Sequence, residues 1–286
     1  MPQKRKSTRR KAASSGLSSG TFKSGVHAFV VSFSLGLAAI GCSVSTPVPK
    51  TAPPGVVASQ PTRPAAGSGF AACPHHFPAA PPPVAAPGLQ RELCFDAFAV
   101  LYSGESKTPV YTVERLNRAG VEAAQGIKRS DKFYPEARLP AAYRAQLADY
   151  AGSGYDRGHM APAGDMPTAQ AKAQSFSLAN MVPQAPALNQ KAWNQIEQAT
   201  RKYVGRAPGD VYVFTGPSYP AAPATLGPNK VWVPAATWKL VHVPAEGRSW
   251  AYWMRNDAGP HSPKPIDYAQ FVQRGGPALL AAESAH

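Results

Sequence analysis

The sequence of 286 residues has few acidic residues, few cysteines and no apolar run of membrane-spanning length. The run Val26–Ile40 has about 15 residues, which is short for a helix that crosses a bilayer. The 16 acidic residues face 30 basic ones, and none of the acidic residues lies within residues 1–41. The stretch "CPHH" that begins at Cys73 lacks the spacing of a structural zinc site. The length allows one large domain or two small ones, and no internal repeat is visible.

The amino terminus has the pattern of an export signal. Residues 1–41 carry seven basic residues, which leaves a net charge of +7 for the rest of the chain. A basic start followed by a short apolar core is typical of a signal peptide. The following "AAIGCSVS" resembles a bacterial lipoprotein signal with Cys42 as the lipidated residue, although Ala39 stands where a larger aliphatic residue is usual.

We therefore predict a targeting segment over residues 1–41 and export in a bacterium. The protein would lie in the periplasm, be attached to the outer membrane through a lipidated Cys42, or be extracellular. Cleavage at an ordinary site nearby and an uncleaved anchor are the alternatives. A mitochondrial presequence would also be basic and rich in serine, but the long apolar core argues against it.

Residues 42–88 have the composition of a linker. They are rich in Pro, Ala and Ser and show no lasting periodicity, so they are predicted to form polyproline II or disordered chain. The folded domain is predicted over residues 89–286, or to start near Cys73 if a disulfide fixes the end of the linker. In an oxidising compartment, Cys73 and Cys94 form an even pair, and two free thiols are the alternative.

The remaining chain alternates strand and helix signals. Residues 94–116 contain apolar, aromatic and β-branched runs broken at "SGES", which predicts two strands joined by a turn. Further strands are predicted at Asp210–Gly216, Lys230–Pro244 and "SWAYWMRN", and a short helix at Ala141–Tyr150. Apolar residues recur at three- and four-residue spacing over Asn189–Val204, which predicts a longer helix. Strands on both sides of that helix indicate an α+β domain.

The segment "DRGH" brings together residues suited to acid–base chemistry and phosphate binding. His159 is a natural general base, because an imidazole with a pKa near 6.5 is largely neutral at neutral pH. Arg157 has a planar guanidinium that suits phosphate oxygens, and Gly158 lets the backbone turn or approach a ligand. A polar surface loop is the alternative for these four residues. The basic net charge likewise fits either a polyanion partner or a surface kept basic for solubility.

The predicted helix adds oxygen ligands. Asn189 lies at its start and Glu197 eight residues later, and eight residues along an α-helix return to within some 80° of the starting face. An amide oxygen with water is a reasonable ligand set for Mg²⁺, which binds hard oxygens. Asparagine is also among the best helix caps, so a capping role for Asn189 is the alternative.

The segments "YDRGHMAPAGDM", "LANMVPQAPALNQKAWNQIEQATRKY", "VYVFTGPSY" and "VPAATWKLV" resemble the DNA/RNA non-specific endonuclease family. That family includes secreted bacterial nucleases and mitochondrial endonuclease G. The resemblance covers residues 95–256. It implies the ββα-metal nuclease fold, in which helices pack on a central antiparallel sheet.

The resemblance also implies roles for individual residues. His159 corresponds to the general base that activates water, and Asn189 to the one direct protein ligand of Mg²⁺, with Mn²⁺ as the alternative metal. Glu197 corresponds to a residue that holds the metal through water. Arg157 and Asn180 correspond to the polar shell of the site.

Two positions match the family less closely. Arg129 matches, less securely, an arginine that contacts the phosphate. Ala179 stands where the family often has serine. Asp165, although it lies in the quoted motif, has no counterpart among these roles and is predicted to be a loop or capping residue.

The implied function is Mg²⁺-dependent hydrolysis of DNA and RNA to 5′-phosphate and 3′-hydroxyl ends. Low sequence preference is expected where phosphate contacts dominate, because they carry little base information. A homodimer is a further expectation, since dimers are frequent among similar proteins. The alternative function is a non-catalytic lipoprotein that captures extracellular nucleic acid through its basic surface.

Overall fold

The computed structural model describes residues 69–86 and 88–281. The predicted targeting segment, Cys42 and the linker up to residue 68 lie outside the described residues. Among the described residues, no helix has the length and apolar character needed to cross a membrane.

The centre of the described fold is a six-stranded antiparallel sheet. Its strands are β1 (Gln90–Cys94), β2 (Ala99–Ser103), β3 (Thr108–Leu116), β6 (Val211–Ser218), β9 (Ala236–Val243) and β10 (Arg248–Arg255). They lie side by side in the order β1-β2-β3-β6-β9-β10, so β1 and β10 form the two edges. Two short hairpins lie outside this sheet: β4 (Asp156–His159) with β5 (Met181–Gln184), and β7 (Thr225–Leu226) with β8 (Val231–Trp232).

The helices are short except for one. The α-helices are α1 (Arg118–Ala124), α2 (Leu147–Tyr150), α3 (Ala169–Gln174), α4 (Asn194–Val204) and α5 (Tyr268–Gln273). A π-helical turn, Leu188–Trp193, leads directly into α4. Single 3-10 turns occupy Gly69–Ala72, Pro74–His76, Ala141–Tyr143, Ala163–Asp165, Leu178–Asn180 and Pro244–Glu246. The predicted α+β class with a central antiparallel sheet is confirmed.

The two faces of the sheet bury different clusters because side chains alternate along each strand. On β3, Tyr111 and Val113 face a core that includes Trp238 and Phe271 of α5. Leu116 belongs to the cluster on the other face, where Val204 at the end of α4 also packs. The sheet thus holds α5 on one side and α4 on the other.

The described fold begins before the predicted start at Leu89. Phe70 and Phe77 are buried in the core cluster of the sheet, and a disulfide joins Cys73 to Cys94 on β1. Composition assigned these residues to the linker because two aromatic anchors among prolines and alanines produce no periodic pattern. The sequence predicts a folded domain that starts near Cys73 if this disulfide forms, and the structure contains the disulfide.

Most predicted elements are found with altered ends. The two strands predicted within residues 94–116 are β2 and β3, and Asp210–Gly216 corresponds to β6. Lys230–Pro244 is divided into β8 and β9. The helix predicted over Ala141–Tyr150 is wrong in its middle, because Arg144 is extended and separates a 3-10 turn from α2. The Arg144 guanidinium there donates to two backbone carbonyl oxygens, which the local sequence pattern does not reveal.

Candidate active site

The "DRGH" segment forms strand β4, which pairs along its whole length with β5. The pairing places Gly158 opposite Val182 and beside the buried side chain of Gln184. A Cβ atom on residue 158 would lie 2.6 Å from the Cβ atom of Gln184, which real structures essentially never show. Glycine is required here because the two strands approach so closely. The close pairing fixes the position of His159, the next residue.

His159 is 8% exposed and lies among aromatic rings. Its ring centre is 5.0 Å from that of Phe176 in an edge-on contact and 5.7 Å from that of Phe133. Burial lowers the pKa of His159 from 6.5 to about 3, and the positive charge of Arg129 contributes in the same direction. The imidazole is therefore neutral at neutral pH, which is the protonation state that a general base requires.

Asn189 lies in the π-helical turn, and its side chain does not cap a helix. Its Nδ2 atom donates to Oδ2 of Asp156 on β4 at 2.8 Å, and Nε2 of Gln190 donates to the same oxygen at 2.9 Å. Because the amide nitrogen is held by a carboxylate, the amide oxygen of Asn189 is free to face a ligand. The capping alternative for Asn189 is therefore wrong.

Glu197 lies on the face of α4 that borders the same cleft. Burial raises the pKa of its carboxyl group to about 7, and the charge of Asp165 acts in the same direction, while Lys239 and Arg201 oppose it. A divalent cation bound beside Glu197 would favour the ionised carboxylate. One turn further along α4, Arg201 pairs with the buried Asp165 at 2.6 Å. Asp165 is therefore an internal partner of an arginine.

Two further arginines border the cleft. The guanidinium of Arg157 lies over the ring of Phe133 at 4.2 Å from its centre. Arg129 lies over Phe176 at 5.2 Å and forms an exposed ion pair with Asp131. Both stacking partners are also the rings that surround His159, so the aromatic pair positions the base and the two cations together.

Asn180 lies beneath the cleft. Its side chain is fully buried, and it donates to the carbonyl oxygens of Ala161 and Ser175 and accepts from the backbone N–H of Ala161. The backbone carbonyl of Asn180 also accepts from Met160 N–H. The Asn180 side chain is not among the residues that line the cleft. Its hydrogen bonds instead hold the backbone that follows His159.

The cleft has a volume of about 360 Å³. The predicted residues that line it are Arg129, Arg157, His159, Asn189 and Glu197. Five of the six predicted site residues therefore meet, although up to 68 residues separate them in the sequence. Gly164 also lines the cleft, where it allows the guanidinium of Arg201 to approach closely.

The donor set fits a hard divalent cation held mainly by water. Within residues 69–86 and 88–281, no group of three or more His, Cys, Asp or Glu side chains could hold a metal ion. One free amide oxygen of Asn189 and the carboxylate of Glu197 are both oxygen donors, the type that Mg²⁺ prefers while it keeps several waters. Such a site does not need three protein ligands.

Several neighbours of the cleft are not among the site residues that the sequence predicts. Asp156 and Arg201 were not assigned roles, although Asp156 stands in the central motif and Arg201 follows Glu197 by one helical turn. Beneath α4, Glu114 and Lys239 are both buried within the sheet. The Lys239 ammonium donates to Thr215, and among the described residues both Glu114 carboxylate oxygens lack a hydrogen-bond partner. Charged residues inside the apolar strand runs "TVERL" and "TWKLV" were the available signal.

Comparison with known proteins gives one consistent result. Residues 78–273 match the profile of the DNA/RNA non-specific endonuclease family. Nuclease C1 of Cunninghamella echinulata var. echinulata is 34% identical over 179 residues, which are 58% of this chain and 71% of that protein. Mitochondrial endonuclease G of Bos taurus is 34% identical over 172 residues, or 56% of this chain and 57% of that protein.

The matched segment also has a similar fold in a solved structure. A chain in the crystal structure of the EndoG/EndoGI complex superposes with a TM-score of 0.62 at 27% identity, covering 70% of this chain and 89% of that chain. A nuclease of Nostoc sp. is 35% identical over 148 residues, which are 51% of this chain and 52% of that protein. The chain thus spans from about half to 71% of the length of these relatives.

Proposed function

The chain belongs to the DNA/RNA non-specific endonuclease family, and from this premise we propose that it is a Mg²⁺-dependent endonuclease that cleaves DNA and RNA to 5′-phosphate ends. The fold is that of the ββα-metal nucleases, with β4, β5 and the helix from Leu188 as the ββα unit. The observation that carries the proposal is the meeting of His159, Asn189 and Glu197 in one cleft.

His159 would take a proton from the attacking water. Its imidazole is neutral, and burial among aromatic rings keeps it so at neutral pH. A water molecule that loses its proton to this ring would attack the phosphorus atom as the bond to the 3′ oxygen breaks, and the leaving 3′ oxygen would take a proton from solvent water to give the 3′-hydroxyl end. General-base catalysis of this kind contributes about 10²–10⁴-fold to a rate.

Asn189 and Glu197 would hold the metal, Asn189 directly through its amide oxygen and Glu197 through a water molecule. When bound, Mg²⁺ neutralises charge that builds on the phosphate and the leaving oxygen. Mn²⁺ offers the same preference for oxygen ligands and is the alternative metal. Asp156 would keep the amide of Asn189 in the orientation that presents oxygen.

Arg157 and Arg129 would bind the phosphate. Their planar guanidinium groups suit phosphate oxygens, and stacking on Phe133 and Phe176 restricts their motion. Phosphate contacts carry little base information, so low sequence preference is expected. Cleavage should also slow as the salt concentration rises, because substrate binding releases counterions.

The direct test is cleavage of supercoiled plasmid and of RNA by the full-length chain in Mg²⁺, compared with His159→Ala. We expect the variant to lose at least about 100-fold of the activity. Asn189→Ala should lose activity as well, and higher Mg²⁺ should restore part of it. Equal cleavage by wild type and His159→Ala would remove the histidine from the mechanism.

We also propose that the chain is exported and anchored through a lipidated Cys42, on the strength of its basic leader, apolar core and small residues around the cysteine. Mass spectrometry of the mature amino terminus tests this. A diacylglyceryl group on Cys42 supports the proposal, and a mature chain with an unmodified Cys42 contradicts it. Assembly as a homodimer stays a prediction that sedimentation velocity can check.

A further inference from the structure

A second groove lies on the side of α4 that faces away from the catalytic cleft. Glu197 and Arg201 border the cleft, whereas Ala199 and Tyr203 border the groove. A step of two residues along an α-helix rotates the side chain by about 200°, so the two sites occupy opposite faces of the same helix. The groove has a volume of about 450 Å³, which exceeds the 360 Å³ of the catalytic cleft.

Aromatic rings form one wall of this groove. Trp250 and Tyr252 project from the edge strand β10 towards α4, and Tyr203 projects from α4. The rings of Tyr203 and Trp250 meet edge to face at 4.9 Å between centres. All three rings are only partly buried, so part of their surface stays open to the groove. The segment that includes Ile266 also lines the groove, and it pairs with Ala251 of β10.

Two exposed arginines border the groove. Arg248 lies over the Trp250 ring at 5.1 Å from its centre, and Arg206 follows the end of α4. Among the described residues, neither arginine has a carboxylate within ion-pair distance. Unpaired guanidinium groups of this kind are available for an anionic ligand.

The acidic residues near the groove are already engaged in hydrogen bonds. Glu246 accepts from the hydroxyl group of Tyr203 at 2.7 Å. Asp267 accepts from the backbone N–H of Gln270 and so caps α5. Both carboxylates are thus held by hydrogen bonds within the protein, whereas the two arginines form no ion pair among the described residues.

We propose that this groove is a second nucleic-acid subsite, which binds unpaired nucleotides of a single strand. Open aromatic rings beside arginines are the combination by which proteins stack bases and hold the adjoining phosphates. The volume lies within the range of about 300–1,000 Å³ that is usual for ligand pockets. A base in a duplex is already stacked on its neighbours, so its faces cannot reach rings inside a groove.

The proposal rests on the proposed function only in taking nucleic acid as the substrate class, and it assigns the groove no part in bond cleavage. A strand held behind α4 would keep the enzyme on single-stranded or frayed substrate while the cleft acts elsewhere on the same molecule. The expected consequence is tighter binding of unpaired strands, with no effect on the chemical step.

The test is the affinity of the full-length chain for a fluorescent oligothymidylate of 12 nucleotides. Fluorescence anisotropy measures this affinity in EDTA, so that no cleavage occurs. We expect Arg248→Glu to weaken binding about tenfold and Trp250→Ala to do so by a similar factor. Trp250→Phe keeps an aromatic ring and should bind within about threefold of wild type. Arg91→Glu is the matched control, because it makes the same charge change on β1, the opposite edge of the sheet.

Two comparisons can overturn the proposal. Equal losses for Arg248→Glu and Arg91→Glu would reduce the effect to general surface charge. Binding of an abasic 12-residue strand as tightly as oligothymidylate would show that bases do not enter the groove. Weaker binding by Trp250→Ala supports the proposal only if the thermal unfolding midpoint of this variant is near that of wild type. Arg248→Glu changes an exposed residue, so its binding result tests the proposal even if Trp250→Ala is destabilised.

Catalysis supplies an independent readout. Hydrolysis of a small chromogenic phosphodiester in Mg²⁺ needs only the cleft, so Arg248→Glu should leave its rate unchanged. If wild type fails to cleave plasmid and RNA in Mg²⁺, the proposed function is contradicted, and the binding data in EDTA still judge the groove. If Arg248→Glu slows the small diester, the groove acts on the chemical step and the proposal fails.

Discussion

Replacing Asp156 by alanine is expected to weaken the metal dependence of cleavage while the fold stays intact. The Asp156 carboxylate accepts one hydrogen bond from the amide of Asn189 and one from that of Gln190. The first bond keeps the amide oxygen of Asn189 pointed away from β4. Without it, the amide can rotate by 180° and present its NH₂ group, which cannot bind a cation.

The magnitude follows from the strength of the lost bond. A hydrogen bond to a charged group contributes about 1.5–3 kcal/mol. Since each 1.4 kcal/mol corresponds to tenfold in an equilibrium constant, the half-saturating Mg²⁺ concentration should rise by roughly 10- to 150-fold. Loss of groups that orient metal ligands typically costs about 10–100-fold in affinity, which agrees with this range.

The assay is plasmid nicking over a wide range of Mg²⁺ concentrations. Asp156→Ala should recover most of its rate at high Mg²⁺, because His159 and the arginines are unchanged. Gln190→Ala is the matched control: it removes the other hydrogen bond to the same oxygen and should leave the Mg²⁺ dependence nearly unaltered. An unshifted Mg²⁺ curve for Asp156→Ala would refute the idea that this carboxylate orients Asn189.

The remaining predictions concern packing, pH and the disulfide. Gly158→Ala should destabilise the chain by about 1–3 kcal/mol and slow plasmid cleavage, because a methyl group would clash with the buried glutamine of β5; denaturant titration and kinetics measure both. His76 donates to the carbonyl of Phe95, and burial lowers its pKa to about 4. Since the unfolded ring binds a proton below about 6.5, the unfolding free energy should fall as the pH drops from 6.5 to 4, by on the order of 1–3 kcal/mol, and His76→Gln should show a smaller fall in titrations at several pH values. Reducing the Cys73–Cys94 bond should cost about 3 kcal/mol, and a double serine variant that melts at the wild-type temperature would contradict this.

The sequence alone predicted the elements whose signals are local. Runs of β-branched and aromatic residues gave β2, β3 and β6, and three- and four-residue spacing gave the helix that ends at Val204. It did not reveal the π-helical turn at the start of this helix. A π-helix forms where packing favours a wider turn, and here that turn brings Asn189 to β4. The ends of the elements likewise depend on tertiary contacts, as the extended Arg144 shows.

The amino-acid composition does not predict that residues 69–77 pack against the sheet. A proline- and alanine-rich stretch is predicted to lack a core of its own, and that argument is sound for the stretch alone. Phe70 and Phe77 are buried because the sheet supplies the apolar surface, and the disulfide to Cys94 holds this segment close to β1 of the sheet. Burial of an isolated aromatic residue depends on a partner distant in the sequence, which a local window cannot contain.

The sequence by itself determined the chemical groups of the candidate site and their order: His159 in "DRGH", then Asn189 and Glu197 at a spacing of eight residues. Residue type and local spacing suffice for this, since the proton-accepting imidazole and the amide and carboxylate oxygens are properties of the side chains themselves. The tertiary structure alone decided which neighbours support them. It joined Asp156 to Asn189 across 33 residues, joined Asp165 to Arg201, and turned the Asn180 side chain towards backbone below the cleft. Hydrogen bonds are short and directional, so their partners follow from strand pairing and helix packing, which no local pattern specifies.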